Sequence, residues 1–194
     1  MSEQTALDTK QNLVVNGVNV TQLVDTVGLI KENSDIAGFK FRASNKWING
    51  GHNRSEINGY YGALQENFRE EAFVMDNDEP PVLLGEDKGA NPVEYVLHAL
   101  AGCMTTTMVY KAALLGIKLD EVESELEGDL DVRGLLEISD DVRNGYQNIR
   151  VNFKVKADGA APETLKQLEK LCMGSPVFDI VTNSVPVTIT INEK

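Results

Sequence analysis

A long run of apolar and small residues over positions 93–115 constrains the fold more than any other feature of the sequence. Asn91 is suited to cap a helix, Pro92 suits the first helical position, and Glu94 stands where the acid of a capping box belongs. Gly116 then offers a stop, so the pattern predicts one helix of about 24 residues. Because this helix is apolar on most faces, it has to be buried nearly all round. A single small domain does not easily do this, which indicates that a partner subunit covers one side.

The segments around this helix mix strand and helix patterns. Alternation of apolar and polar residues predicts strands over 39–43, 57–61, 73–75, 122–132, 148–156 and 185–191. Helical spacing predicts further helices over 21–33, 162–172 and from 176 to about 183, with residues 76–91 as a loop. The order lacks the regular alternation of βαβ units, so the fold class is predicted to be α+β. We expect an N-terminal arm with a short helix over 1–35, in which residues 1–20 are weakly patterned, and one domain over 36–194.

Composition excludes several classes of function. The net charge of −12 is spread without a basic patch, so neither nucleic acid nor an anionic membrane surface is an expected partner. No apolar run reaches the ~18–20 residues of a membrane span, and the N-terminus lacks the pattern of a signal peptide. We therefore expect a cytoplasmic protein. The two cysteines and two histidines do not have metal-ligand spacing, so no metal and no other cofactor is expected.

Three motifs occur in an order that is informative. They are KWINGGHNR at 46–54, NPVEYVLHALAGC at 91–103 and GSPVFDIV at 174–181. In this arrangement the chain resembles the OsmC/Ohr family, named for osmotically inducible protein C and for organic hydroperoxide resistance proteins. The resemblance covers roughly residues 38–192. It implies an OsmC-like fold in which antiparallel sheets pack on two long central helices of an intertwined homodimer.

The resemblance also implies a chemistry. Members of the family reduce organic hydroperoxides with a peroxidatic and a resolving cysteine, and an arginine and a glutamate orient the thiolate. Cys103 matches the peroxidatic position, and Arg54, which follows Trp47, matches the arginine. A thiol attacks peroxide only as the thiolate, and a nearby guanidinium favours that form even where burial opposes it. An external thiol is the expected reductant. Outside the motif, Cys103 would be interpreted as a small core residue.

The family's glutamate directly follows Asn-Pro, where this chain has Val93. Glu94 comes next, but at about 100° per residue it lies roughly 180° around the helix from Cys103. Glu94 is therefore either a capping-box acid or, if the first turn is irregular, the carboxylate that orients Arg54.

The family's resolving cysteine directly precedes Pro-Val, where this chain has Ser175. Cys172 lies three residues earlier, about one helical turn away. It is either the resolving cysteine, brought toward Cys103 by a mobile helix end, or a core residue in an apolar stripe.

Two functions of different classes follow. The first is a thiol-dependent peroxidase that reduces organic hydroperoxides through Cys103. The alternative is an OsmC-fold binding or sensing protein that holds a small hydrophobic ligand with little catalysis. The departures at Val93 and Ser175 motivate the alternative. A cysteine hydrolase is less favoured, because Cys103 has no histidine and acid at motif spacing.

Overall fold

The computed structural model describes residues 12–157, 159 and 161–193. The first eleven residues of the predicted arm lie outside the described residues. The strands are β1 (Val14–Val15), β2 (Val18–Asn19), β3 (Lys40–Phe41), β4 (Ser44–Asn49), β5 (His52–Ile57), β6 (Tyr60–Gly62), β7 (Gln65–Asn67), β8 (Phe73–Asn77), β9 (Leu119–Asp129) and β10 (Asn148–Ala157). The helices are α1 (Val20–Glu32), α2 (Pro92–Leu114), α3 (Val132–Leu135), α4 (Pro162–Cys172) and α5 (Pro176–Thr182). In the described part of the chain, no helix is both long and apolar enough to cross a membrane.

The long helix α2 organises the fold as the sequence predicts. It begins at Pro92 with a capping box formed by Asn91 and Glu94. Its buried positions recur every four residues, at Leu100, Met104, Met108 and Ala112. This stripe packs against β9, α4 and α5, while much of the opposite face is exposed. Within one chain α2 is therefore buried along one side only. This agrees with the expectation that a single small domain does not bury all faces of so apolar a helix.

Antiparallel strands form the sheets around α2. One three-stranded sheet has the order β4-β5-β8 and another has the order β3-β6-β7. The long hairpin of β9 and β10 turns alternate residues inward, and Leu126, Val151 and Phe153 pack against the buried stripe of α2. Its other face carries ion pairs such as that of Lys154 with Glu125. The observed fold confirms the α+β class and the antiparallel sheets.

Residues 12–20 are more regularly folded than the weak sequence pattern of residues 1–20 indicates. β1 and β2 form a short hairpin, and α1 begins after Asn19, whose side chain accepts from the backbone of Gln22. The side chain of Asn16 donates to the carbonyl of Ile117 at 2.9 Å and accepts from the amide of Leu119 at 2.9 Å. Two hydrogen bonds from one side chain thus join the hairpin to the start of β9. The helix predicted over 21–33 thus begins one residue earlier, at Val20, and ends at Glu32.

Several strand predictions differ from the structure. The strand predicted over 122–132 is β9, which ends three residues earlier, at Asp129, and Val132 begins α3. The strand predicted over 57–61 is divided between the end of β5 and the start of β6. β8 extends through Asp76 and Asn77, which the sequence placed in a loop, because both residues pair with β5. The strand predicted over 185–191 is not formed, since no other described strand of the chain pairs with it. In this segment Val187 is 81% exposed, Ile189 82% and Ile191 92%. An alternating apolar segment this exposed lacks the surface that would bury it.

Candidate functional site

Arg54 projects from the middle of β5, where it is opposite Lys46 of β4 and Asp76 of β8. Its Nε donates to Asp76 Oδ1 at 2.9 Å and its Nη2 donates to Asp76 Oδ2 at 3.0 Å. The hydrogen bonds of Arg54, and after them that of His52, lower the pKa of the Asp76 carboxyl. The same pairing with Asp76 raises the pKa of Arg54. The guanidinium side chain is nevertheless 48% exposed. Arg54 is thus a charged, oriented and accessible group.

Asp76 is itself fixed by two further contacts. Nε2 of His52 lies 2.8 Å from Oδ1, and because an ionised carboxylate only accepts, Nε2 donates. The hydroxyl of Tyr95, in α2, donates to the backbone carbonyl of Asp76 at 2.9 Å. Asp76 therefore connects Arg54 and His52 of β5 with the N-terminal part of α2.

A second carboxylate orders the loop that leads into α2. The side chain of Asp78 is 2% exposed and accepts from the backbone amides of Glu79, Glu86 and Lys88 at 2.8 to 3.1 Å. These backbone hydrogen bonds, that of Lys88 foremost, lower the pKa of Asp78. The loop is consequently held by an ionised buried group, and it presents Asn91 for capping α2.

Glu94 belongs to the helix cap. Its Oε2 accepts from the backbone amide of Asn91 at 2.8 Å, which is the reciprocal bond of a capping box. Arg54 meets the carboxylate of Asp76 instead. The structure thus supports the capping interpretation of Glu94, and a role for Glu94 in orienting Arg54 stays a prediction.

Cys103 lies on α2 at the edge of the buried stripe, beside Met104, and is half-buried. Tyr95, which contacts Asp76, is eight residues earlier and thus about 12 Å away along the helix axis. Among the described residues Arg54 hydrogen-bonds to Asp76 and not to Cys103. Within the described part of a single chain, the two predicted site residues therefore make no hydrogen bond to each other.

Cys172 is the last residue of α4 and is buried, with 3% exposure. Its thiol donates to the carbonyl of Glu169 at 3.0 Å, and burial raises its pKa. It shares a buried cluster with Met108, and Nζ of Lys111 donates to the carbonyl of Leu171 beside it at 3.3 Å. Cys172 thus lies level with the part of α2 that follows Cys103, in an apolar environment. Its resolving role stays a prediction.

One concave region lies beside Cys172 and another beside Arg54. A cavity of about 490 Å³ between α2, β10 and α4 is lined mainly by apolar side chains and by the thiol of Cys172: Met108, Val151, Phe153, Val155, Leu165, Leu168, Glu169 and Cys172. A more open groove of about 680 Å³ lies over β4 and β5, where Trp47 and Arg54 are among its lining residues. Trp47 is 68% exposed, so the groove has an apolar wall next to a guanidinium.

The fold and these residues define a class of protein, the α+β proteins in which a cysteine-bearing central helix packs against antiparallel strands. The sequence profile of the family described as OsmC-like protein matches residues 85–190, more than half of the chain. The chain therefore belongs to the OsmC-like family, as its motifs predicted. No protein of curated function matches the sequence.

Solved structures agree with this assignment at the level of the fold. An OsmC-like protein from Mycoplasma pneumoniae superposes with a TM-score of 0.57 at 14% identity, over 75% of this chain and 89% of that chain. An OsmC-like protein of unknown function from Vibrio cholerae superposes with a TM-score of 0.51 at 15% identity, over 69% of this chain and 84% of that chain. Both comparisons confirm the predicted fold, and at this identity they show the fold alone.

Sequence reasoning missed two carboxylates near the site. Asp76 was predicted to lie in a loop. The strand predicted over 73–75 in fact extends by two residues, and this extension brings Asp76 into the sheet. Asp78 lies in the same Asp- and Pro-containing stretch and gives no sequence signal of burial. Asp76 depends on the pairing of two strands across 22 residues, which local patterns do not determine. Asp78 depends on a loop that folds back over 10 residues to bring the amide of Lys88 to its carboxylate.

Proposed function

We propose that this protein is a thiol-dependent peroxidase that reduces organic hydroperoxides, with Cys103 as the nucleophile. The observation that carries the proposal is the position of Arg54. Its guanidinium is accessible, is held by Asp76 and lines a groove together with Trp47. Such a group stabilises a thiolate and polarises a peroxide oxygen. Membership of the OsmC-like family adds support, because Cys103 occupies the family's peroxidatic position.

The proposed enzyme is a cytoplasmic homodimer in which Arg54 of one copy serves Cys103 of the other. Two observations support this arrangement. Within one chain Arg54 does not hydrogen-bond to Cys103, and one face of α2 together with the segment 185–191 leaves apolar residues exposed. A second copy that covers these surfaces would complete both the core and the site.

In the first proposed step the Cys103 thiolate attacks one oxygen of the hydroperoxide. A sulfur–oxygen bond forms, the oxygen–oxygen bond breaks, and the alkoxide takes a proton and leaves as the alcohol. Cys103 is oxidised to the sulfenic acid. A second thiol, either Cys172 or an external thiol, then attacks the sulfenic sulfur, so that a disulfide forms and water leaves. Further external thiol reduces this disulfide and restores Cys103.

The test is steady-state reduction of cumene hydroperoxide with dithiothreitol as the reductant. We expect Cys103→Ser to abolish turnover, and Arg54→Gln to lower kcat/KM by about 10²- to 10³-fold, the loss typical of removing one electrostatic stabiliser. Arg42→Gln is the matched control, because Arg42 forms a similar bidentate pair with Glu66 elsewhere. Turnover retained by Cys103→Ser would refute the proposal.

A second candidate function is the binding of a small hydrophobic ligand. The apolar cavity of about 490 Å³ beside Cys172 favours it, since its volume is within the range of small-molecule sites. Native mass spectrometry of the purified protein discriminates the two functions. A stoichiometric apolar ligand together with absent peroxide turnover would favour binding, whereas an empty protein with rapid turnover would remove this candidate.

A further inference from the structure

We infer that Asp76 is the positioning residue for Arg54 in this chain, supplying from strand β8 the carboxylate that the family's motif would place at Val93, and that His52 fixes Asp76 in turn. This inference rests on the proposed function and names two residues of that same site. Neither residue belongs to the motif positions at which the family carries its carboxylate.

The contact with Asp76 orients the guanidinium of Arg54 and does not occupy all of its hydrogen-bond donors. Asp76 binds the Nε and Nη2 edge of the guanidinium. Nη1 makes no hydrogen bond within the described residues and remains able to meet an incoming thiolate or peroxide. A bidentate contact of this kind fixes the plane and direction of the guanidinium. Arg54 is therefore held on one edge and open at the other.

The surroundings of Asp76 hold it in place. Nε2 of His52 donates to Oδ1, and Tyr95 donates to its backbone carbonyl. The charged groups facing this network are few: Lys46 is opposite Arg54 on β4, Glu56 is two residues further along β5, and the buried Asp78 follows on the β8 side. Since His52 and Arg54 share one carboxylate, moving either donor disturbs the other.

Within the described residues, the side chains of the first turn of α2 make no hydrogen bond to Arg54. Val93 has an apolar side chain, and its backbone carbonyl accepts from the hydroxyl of Tyr146 at 2.9 Å. Glu94 is engaged in the capping box. Asp76 nevertheless lies beside this end of the helix, because Tyr95 contacts its carbonyl. In this chain the carboxylate that binds Arg54 thus stands on the strand beside the first part of α2.

The inference is tested with Asp76→Asn, Asp76→Glu and His52→Leu, and with Glu66→Gln as the control that breaks the comparable pair of Arg42. Two readouts are needed: kcat and KM for cumene hydroperoxide, and the pH dependence of Cys103 alkylation by iodoacetamide, followed on the Cys103 peptide by mass spectrometry. Circular dichroism of each variant confirms that it is folded.

We expect Asp76→Asn to lower kcat/KM by about 10- to 100-fold, because a misplacement of about 1 Å can cost about 100-fold. The midpoint of Cys103 alkylation moves to higher pH, as in Arg54→Gln. Asp76→Glu recovers part of both losses, His52→Leu shows a smaller loss of the same kind, and Glu66→Gln matches the wild type. In the double variant Asp76→Asn with Arg54→Gln, the loss equals that of Arg54→Gln alone, since both changes act through one group.

Unchanged or faster reduction by folded Asp76→Asn, or losses that add in the double variant, would overturn the inference. The proposed function fails separately, if wild-type Cys103 does not react with peroxide. In that event the alkylation profile still reports whether Asp76 acts on Cys103 through Arg54. A profile shifted equally by Arg54→Gln and Asp76→Asn would then retain the positioning role without the peroxidase.

Discussion

Cys172 lies with Met108 in one buried cluster, and both side chains line the cavity between α2 and α4. Met108 is five residues beyond Cys103, which is about 7.5 Å along the axis of α2. Both cysteines are free thiols in the structure, and Sγ of Cys172 donates to the carbonyl of Glu169 at 3.0 Å. Bonding of Cys172 to Cys103 would have to break this hydrogen bond.

The first prediction concerns Cys172→Ala. The free energy of unfolding falls by about 0.5–1.5 kcal/mol, the range for deleting one buried methyl-sized group. The rate of Cys103 oxidation in a single turnover stays unchanged, because the thiol of Cys172 does not take part in the first step. Denaturant unfolding and stopped-flow oxidation measure the two quantities. Slower single-turnover oxidation of Cys103 in folded Cys172→Ala than in the wild type would contradict this account.

The second prediction concerns the cap of α2. Glu94→Ala lowers the free energy of unfolding by about 0.3–1.5 kcal/mol, because the backbone amide of Asn91 loses its acceptor. Glu94→Gln loses less, since glutamine also completes a capping box. Denaturant unfolding of both variants provides the measurement. If Glu94→Ala kept full stability yet moved the alkylation midpoint of Cys103 as Arg54→Gln does, Glu94 would be the orienting carboxylate instead.

The third prediction is a dependence of stability on pH through Asp78. Its pKa is lower in the folded chain than the ordinary value near 3.9, so the folded state favours the ionised form. The resulting stabilisation is present above about pH 4 and is lost as the pH falls through the folded-state pKa. Thermal unfolding at pH 7 and pH 3 should show a destabilising effect of Asp78→Asn that is larger at pH 7. The exposed Asp120→Asn serves as the control, and an equal effect of Asp78→Asn at both values would contradict this assignment.

The fourth prediction concerns the exposed C-terminal segment. Ile189 is 82% exposed within one chain, and in the proposed homodimer the second copy buries it. Ile189→Asp should convert the dimer to monomer, because an unpaired carboxylate does not tolerate that burial. Thr188→Asp, at the adjacent polar position of the alternating sequence, should retain the dimer. Light scattering after size-exclusion chromatography gives the mass, and a wild-type monomer would reject the dimer outright.

How far the sequence predicts this protein depends on the range of the interactions involved. α2 was predictable with its cap because Asn91, Pro92 and Glu94 act locally, within one turn. The strand over 185–191 was predicted but is absent, since alternation marks a face that needs burial without specifying what pairs with it. Asp76 was missed for a related reason: its role depends on the register between β5 and β8, two strands separated by β6 and β7.

The most direct test is mass spectrometry after one equivalent of cumene hydroperoxide, with dimedone present to trap sulfenic acid. The account predicts a dimedone adduct on Cys103, formed more slowly in Asp76→Asn and absent from Cys103→Ser. Cys172 should carry no dimedone adduct, because in the account it reacts only with the sulfenic acid of Cys103 and not with peroxide. An unmodified Cys103 in protein that has consumed peroxide, or modification confined to Cys172, would contradict the central claim that Cys103 is the nucleophile.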